Sequence, residues 1–421
     1  MYDQSFNFIS LSKELRRSDF LNYSFLRDPI QKKLFIEHVV TLSEDPFSHQ
    51  NIFNVSQLGR NNIYSLSNFK CDVITRKINR NLSKVVKIKK TNRNNIISNI
   101  KNIISEGVPY RVYRLDIKSF YESFQHEEIV NHFNTYNELA PKTKKLLKDF
   151  INAFERENGR GLPRGLTISA TISEIMMRQF DLQVSQCSDV FYYSRYVDDI
   201  ILITNSKENS YGFLSQLEEN LPVGLSFNRK KTNIIEYLEK VNPYKTNSTS
   251  PNLNNRKFEY LGYSFSVSEP PKVNKIKEVF RDVVVDIADT KVKKIKTRII
   301  KSLIDYTKNH NFNLLESRLR LLTSNFSVPD RNREKTRLAG IYYNYHAIDS
   351  SKSIALNTLD VFLKKSVLSS HGNIFHLCSF TKKQRASLLR FHFKNGFDKK
   401  IFMHVSASEL NKIQECWCYE K

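Results

Sequence analysis

The chain is short of acid, of sulfur and of long apolar runs. Against 66 Lys and Arg stand 43 Asp and Glu, a formal net charge of +23. A compact protein tolerates such self-repulsion best when a polyanion offsets it. Nucleic acid is the leading partner, because neutralising phosphates releases condensed counterions. The alternative is a basic protein that its charge merely keeps soluble. Cysteine is limited to five scattered positions, 71, 187, 378, 416 and 418. An odd, dispersed set excludes a disulfide framework and fits a reducing compartment. Cys416-Trp417-Cys418 lacks zinc-pair spacing and reads as terminal packing. No apolar run is long enough to span a bilayer. Met1-Tyr2-Asp3-Gln4-Ser5 lacks the basic region and apolar core of a signal peptide. No strongly amphipathic basic helix offers an apolar face to lipid, so no membrane partner is expected and the cytoplasm is the default location. No internal repeat is evident. The one biased tract is Asn242 to Asn255, rich in Asn, Ser and Pro.

What is present is size and apolar content: 421 residues, 40% of them hydrophobic, enough for two or three cores. One stretch stands out, Tyr192-Tyr193-Ser194-Arg195-Tyr196-Val197-Asp198-Asp199-Ile200-Ile201-Leu202-Ile203. Two apolar runs flank adjacent carboxylates, which reads as two buried strands joined by a tight turn. Adjacent aspartates repel and are costly to bury unless a cation neutralises them. The turn is therefore either solvated or a metal site.

Residues 1–70 are weakly periodic, sparse in Gly and Pro, and carry no evident chemistry. Residues 72–101 turn basic, with Arg76, Lys77, Arg80, Lys84, Lys87, Lys89, Lys90 and Arg93. Val86-Lys87-Ile88-Lys89 alternates as a half-buried strand with one cationic face would. A helix follows at 95–104, ended by Gly107-Val108-Pro109. Residues 110–115 suggest a strand delivering Asp116, either a cap for the next turn or a ligand. Helices are expected within 125–158. Gly159-Arg160-Gly161-Leu162-Pro163-Arg164-Gly165 is then a loop able to approach a ligand closely. Asn228-Arg229-Lys230-Lys231-Thr232 is a basic cluster. Phe258 to Phe265 reads as a strand pair with Gly262 at the bend, and everything beyond Lys272 reads as all-helical.

Five blocks fall in one order: Arg114-Leu115-Asp116-Ile117-Lys118-Ser119-Phe120-Tyr121; Gly161 to Ser169; Tyr196-Val197-Asp198-Asp199; Asn228 to Thr232; and Tyr260-Leu261-Gly262-Tyr263. In these the chain resembles reverse transcriptases, from about residue 72 to 266, and more narrowly the bacterial ones associated with phage defence and abortive infection. Met1 to Phe6, and Arg318 to Leu322 through Gly340-Ile341-Tyr342-Tyr343, are also similar to the first polymerase of the type 3 defence reverse transcriptase systems.

The resemblance implies an α+β right-hand polymerase: fingers, a palm with an antiparallel sheet and a thumb, then an all-helical C-terminal region. The expected division is an N-terminal extension at 1–70, fingers at 71–110, palm at 111–266 with a fingers insertion at 125–160, thumb at 267–346 and a helical region at 347–421. The implied activity is RNA-directed DNA synthesis on a dedicated non-coding RNA, in antiphage defence within the bacterial cytoplasm. Untemplated or protein-primed synthesis on the same palm is the alternative, as is a mobile-element enzyme like those of retrons and group II introns. Implied partners are an RNA template, the DNA product, deoxynucleoside triphosphates, and a second reverse transcriptase subunit or a second copy of the chain.

Two Mg²⁺ ions, or Mn²⁺, would be held by Asp116, Asp198 and Asp199 with the Ile117 carbonyl. Lys231 would be a general acid near the pyrophosphate. Tyr121, five residues after Asp116, would block a ribose 2′-hydroxyl. Lys87, Lys89 and Arg93 would hold the triphosphate, and Arg164 and Gly165 would border the nucleotide. Leu261 and Gly262 would support the primer, while Lys293, Lys294 and Arg298 would track the duplex phosphates. Arg164 departs from the family, which commonly has Gln there. A fixed cation either contacts a phosphate or pairs with an acid and leaves the nucleotide alone.

Overall fold

The computed structural model describes residues 2–59, 61–87, 92–237, 256–268, 271–273, 279–330, 335–368 and 377–418. The chain forms two compact units. One comprises Met1–Asn92 and Tyr110–Glu236, the other Arg93–Pro109 and Tyr237–Lys421.

The first unit opens with helices α1 (Phe8–Ser12), α2 (Arg17–Asn22) and α3 (Pro29–Leu42). Asp28 caps α3, its carboxylate accepting from the Ile30 and Gln31 amides ahead of Pro29 at the first position. These helices gather on α4 (Phe69–Val86), where Arg76 pairs with both Asp19 and Asp72. Between them lies the hairpin β1 (Phe53–Leu58) and β2 (Asn61–Leu66), paired from Phe53↔Leu66 to Leu58↔Asn61. Helix α4 buries Val73, Ile74, Ile78, Leu82 and Val86, a 3.6-residue stripe. That stripe carries the helix through Val86, and Lys87 ends it in the left-handed conformation at φ 53°. The strand expected at 86–89 is therefore not formed at Val86 and Lys87. Two apolar residues of a short alternation cannot outweigh the stripe of an 18-residue helix. Lys89 and Lys90 lie outside the described residues.

The sheet of this unit has the order β4-β5-β3-β6. Its strands are β3 (Tyr110–Asp116), β4 (Val190–Tyr196), β5 (Asp199–Thr204) and β6 (Asn233–Tyr237). Ile200 to Ile203 are fully buried, as are Val112, Tyr113 and Leu115, so the central strands read as continuous apolar runs. Each such side chain contributes roughly 1.5–3 kcal/mol by burial. Helices α5 (Arg93–Ile104, in the second unit), α6 (His126–Asn134), α7 (Pro141–Arg156), α8 (Thr167–Met176), α9 (Arg178–Ser185) and α10 (Ser210–Glu219) complete this stretch of chain. Ile168, Ile172, Ile175, Met176 and Phe180 from α8 and α9 share one core with Leu115, Ile200 and Leu202.

In the second unit β7 (Arg256–Tyr260), β8 (Tyr263–Val267) and β11 (Val283–Ile287) form a sheet of order β11-β8-β7, while β9 (Lys272–Val273) pairs with β10 (Val279–Phe280). Long α11 (Asp289–Asn309), α12 (Phe312–Thr323) and α13 (Ile354–Leu368) follow. Between α12 and α13 lies the hairpin β12 (Asn325–Asp330) and β13 (Lys335–Gly340). The expectation of helix alone beyond Lys272 is corrected by β9 to β13. The β-branched run Val283-Val284-Val285 favours extended chain beside β8. Beyond α13 the described elements are helical, at Lys382–Leu388, Phe393–Asp398 and Ala407–Cys418. Trp417 is buried there, its indole N–H donating to the Arg298 carbonyl and Ser302 Oγ. No helix among the described residues is long and apolar enough to cross a membrane.

Candidate active site

Antiparallel register sets the core of the site. Asp116 at the end of β3 stands opposite Asp199 at the start of β5, and Tyr196 pairs with Asp199 on the other side. Val197 and Asp198 form the turn between β4 and β5. The Ile117 amide donates to the Asp198 carbonyl at 3.1 Å, tying the turn to the segment that follows Asp116. The three carboxylates are thus placed by one hairpin and its neighbour strand.

A second backbone pairing brings the basic cluster. Ile117 bridges Phe227, the Lys118 amide donates to Ser226 O at 3.0 Å, and the Asn228 amide donates to Asp116 O at 2.7 Å. The chain then turns on Asn228, whose carbonyl accepts from the Lys231 and Thr232 amides. Lys231 Nζ consequently donates to Asp116 Oδ1 at 2.8 Å, and Asn228 Nδ2 to Asp116 Oδ2 at 3.2 Å. Asp116 is 7% exposed, whereas the Lys231 side chain reaches it from the solvent side.

Asp198 and Asp199 are both pushed above the ordinary carboxylate range. Burial is the largest cause for each. The Asp116 charge adds to it for Asp198, and the Asp198 and Asp116 charges add to it for Asp199. Lys231 opposes the shift at both, with Arg164 helping at Asp198 and Arg114 at Asp199.

A cavity of about 570 Å³ opens over Asp116 and Asp198, within the range of small-molecule sites. Ile117, Lys118, Arg160, Arg164, Asn228 and Lys231 are among its lining residues. The β1–β2 hairpin contributes Asn61, Asn62 and Tyr64, from a segment whose sequence had suggested no chemistry. The turn signal Leu58-Gly59 was the available clue. Asn228, Glu122 and Arg160 were likewise not singled out from the sequence.

The loop between α7 and α8 is fixed by backbone contacts. Leu162 N donates to Tyr121 O at 2.8 Å, His126 Nε2 lies 2.7 Å from Gly161 O, and Tyr64 N donates to Arg164 O at 2.7 Å. Gly165 packs against the same hairpin, where an added Cβ would stand 2.7 Å from Ile63 Cγ2 and 2.8 Å from Tyr64 O. Arg164 pairs with an acid: Nε and Nη2 donate to the two Glu122 oxygens at 2.9 and 3.0 Å. Its guanidinium lies 5.3 Å from the Tyr121 ring centroid. Tyr121 itself packs half-buried against the core and is not among the residues lining the cavity. Arg164 covers it.

Lys87 lines a different cavity of about 360 Å³, with Glu174, Arg178 and Asp181; its assignment to a triphosphate is not matched by this placement. Lys89 lies outside the described residues. Arg93 belongs to the second unit, donating through Nε and Nη2 to the Leu261 carbonyl at 3.1 and 2.7 Å and through Nη1 to Asn344 O at 2.9 Å. It braces the β7–β8 turn, where Leu261 and Gly262 both have positive φ, 46° and 81°. This replaces the expected phosphate role. On α11, Lys293 and Lys294 are exposed, whereas the Arg298 guanidinium lies 5.2 Å from the Trp417 ring. Arg298 is a packing residue here.

Among the described residues no group of three His, Cys, Asp or Glu side chains is disposed to hold a metal ion as it stands. The donor chemistry of Asp116, Asp198 and Asp199 nevertheless fits a hard divalent cation, since neighbouring carboxylate charge disfavours ionised Asp198 and Asp199.

Residues 60–265 match the family model described as reverse transcriptase (RNA-dependent DNA polymerase). No curated protein matches the chain. Among solved structures it is similar to apo telomerase from Candida tropicalis truncated from its C-terminal domain (14% identity, TM-score 0.33, covering 56% of this chain and 55% of that one). It is also similar to telomerase from Candida albicans in complex with a TWJ fragment of telomeric RNA (14% identity, TM-score 0.30, covering 80% and 53%). The chain spans about half the length of those telomerase chains. Residues 60–265 thus form a reverse transcriptase domain.

Proposed function

We propose that the chain copies a dedicated non-coding RNA into DNA by a two-metal mechanism, as part of bacterial antiphage defence. The observation that carries the catalytic reading is the register that sets Asp116 beside Asp199 and next to Asp198, beneath a cavity with Lys231 at its edge. Asp116, Asp198 and Asp199, with the Ile117 carbonyl, would hold Mg²⁺ or Mn²⁺, which when bound supplies Lewis-acid activation of a primer 3′-oxygen and neutralises the leaving pyrophosphate. Lys231, bonded to Asp116, would donate a proton to that leaving group. Arg164 and Gly165 form the loop edge against β2, and Arg164 separates Tyr121 from the cavity, in place of the sugar-side boundary expected of Tyr121. Leu261 and Gly262 would support the primer, and Lys293 and Lys294 would follow the duplex phosphates. The defence role and the non-coding RNA rest on the resemblance to defence-associated enzymes.

The Arg164–Glu122 fork favours a second reading, untemplated or protein-primed DNA synthesis. With Arg164 held by an acid, the loop gives the incoming nucleotide no glutamine amide to hydrogen-bond. Purified protein should carry an RNA, and the DNA made from four deoxynucleotides should be its complement. Random or homopolymeric DNA sinks templated synthesis in favour of the second reading. No incorporation, with Asp198→Ala plus Asp199→Ala leaving biological activity intact, sinks both.

A further inference from the structure

The turn that carries Asp198 is strained, and one buried arginine holds it. Val197 has φ 63°, in the left-handed region. A β-branched residue there is an outlier whose cost is of order 1–3 kcal/mol, and it persists only where its surroundings impose it. Its side chain is partly buried and packs against the core.

Against this turn lies Arg195, 5% exposed and two residues earlier on β4. Its Nη1 donates to the Val197 carbonyl at 3.0 Å. The rest of the guanidinium is clamped by two acids. Nε and Nη2 donate to the Asp181 oxygens at 2.9 and 2.7 Å, and Nη1 and Nη2 to the Glu174 oxygens at 3.0 and 2.9 Å. Tyr193 adds a hydroxyl donor to Asp181. Glu174 lies on α8 and Asp181 on α9, so one planar group links two helices to the apex of a β-turn. Helix α8 also begins at the Arg164 loop, where Ser169 Oγ donates to Pro163 O at 2.7 Å. A lysine could satisfy the acids but not hold both and the carbonyl together, because it lacks the fork.

We propose that Arg195 is a positioning residue: through the Val197 carbonyl it holds the Val197-Asp198 turn in its strained form and so aims the Asp198 carboxylate. The inference rests on the polymerase reading only for its kinetic consequence. The mechanical claim stands on geometry alone. Glycine at 197 adopts φ near 60° at no steric cost, so Val197→Gly makes the turn independent of the clamp.

The test compares full-length wild type, Arg195→Lys, Val197→Gly and the double variant by two readouts. Hydrogen exchange by mass spectrometry reports the turn. Arg195→Lys should speed exchange at least tenfold in peptides covering 196–199, with less than threefold change in β3 and in the centre of α8. Single-turnover incorporation should fall at least tenfold in Arg195→Lys, with the deoxynucleotide KM within threefold of wild type. Adding Val197→Gly should restore at least a third of the wild-type rate. The proposal is overturned if exchange rises evenly across β4, α8 and α9, or if Val197→Gly rescues nothing. If Arg195→Lys does not fold, Glu174→Gln, which loosens one arm of the clamp, takes its place with the same expected and overturning results. A wild type that incorporates no nucleotide refutes the polymerase reading instead, and the exchange comparison then decides this inference alone.

Discussion

Gly161 and Gly59 form a matched pair for separating backbone strain from contact. Their φ values are 65° and 63°. A Cβ at Gly59 would meet nothing within 4 Å, whereas one at Gly161 would collide with the Tyr121 carbonyl oxygen and stand 2.7 and 2.8 Å from Glu122 C and Cα. Alanine in left-handed conformation costs roughly 1–2 kcal/mol at either site. At Gly161 the backbone must also give way, adding about 1–3 kcal/mol for overpacking. The bond from Leu162 N to Tyr121 O would be lost with it, about 1 kcal/mol more. Gly161→Ala should therefore cost about 3–6 kcal/mol against about 1–2 for Gly59→Ala. In thermal unfolding that is a drop of roughly 9–18 °C against about 3–6 °C for a unit of this size. Incorporation should fall with Gly161→Ala even well below its Tm, because Arg160, Leu162 and Arg164 line the cavity from that loop. Equal Tm losses in the two variants would refute the claim that the loop rests on the 121–122 backbone.

Three other outcomes follow from the site. Asp198→Asn and Asp199→Asn should each abolish incorporation yet raise Tm at pH 7. Their folded-state pKa values lie above the ordinary one, so the stability tied to each is present at low pH and lost as pH rises through the folded value. Tm measured from pH 4 upward should therefore decline less in the variants than in wild type. Lys231→Ala should lower the single-turnover rate at least tenfold while shifting stability by under about 1 kcal/mol, since its side chain is 58% exposed and solvent screens the pair. A large stability loss with unchanged rate would assign it a structural role. Glu122→Gln should free the Arg164 fork and lower the deoxynucleotide KM several-fold with little change in Tm, read by steady-state kinetics. An unchanged KM would mean that Arg164 does not reach the nucleotide.

The carboxylate hairpin was legible because two apolar runs enclose it, and the strand before Asp116 because Val112, Tyr113 and Leu115 leave it no exposed face. The β1–β2 hairpin was not, since all but the first residue of β1 are exposed and the Phe53-Asn54-Val55-Ser56 alternation is only four residues long. Lys87 was misplaced because a four-residue alternation is too short to compete with a helix. The role of Arg93 was out of reach, since its carbonyl partner lies 168 residues away. The strands from Lys272 to Gly340 hide among Lys-rich helical periodicity, and the short β-branched run at 283–285 forms β11 together with its pairing to β8. The Arg164–Glu122 fork joins residues 42 positions apart that no spacing rule connects.

The interleaving of the two units has a consequence for synthesis. Helix α5 and the residues after it belong to the second unit, yet they leave the ribosome before most of the first. Ile96, Ile97, Ile100 and Ile104 are buried in the finished protein. The carbonyls of Glu106 and Val108 wait for Arg281, which follows 175 and 173 positions later. At about 5–20 residues per second that is roughly 10–35 s in which an isoleucine face lacks its partners. Nascent chains stalled between these points should be the ones a chaperone holds. Expressing residues 1–236 as a fragment would leave the same face uncovered for good, so severing the chain at its evident midpoint should yield aggregate rather than a working half.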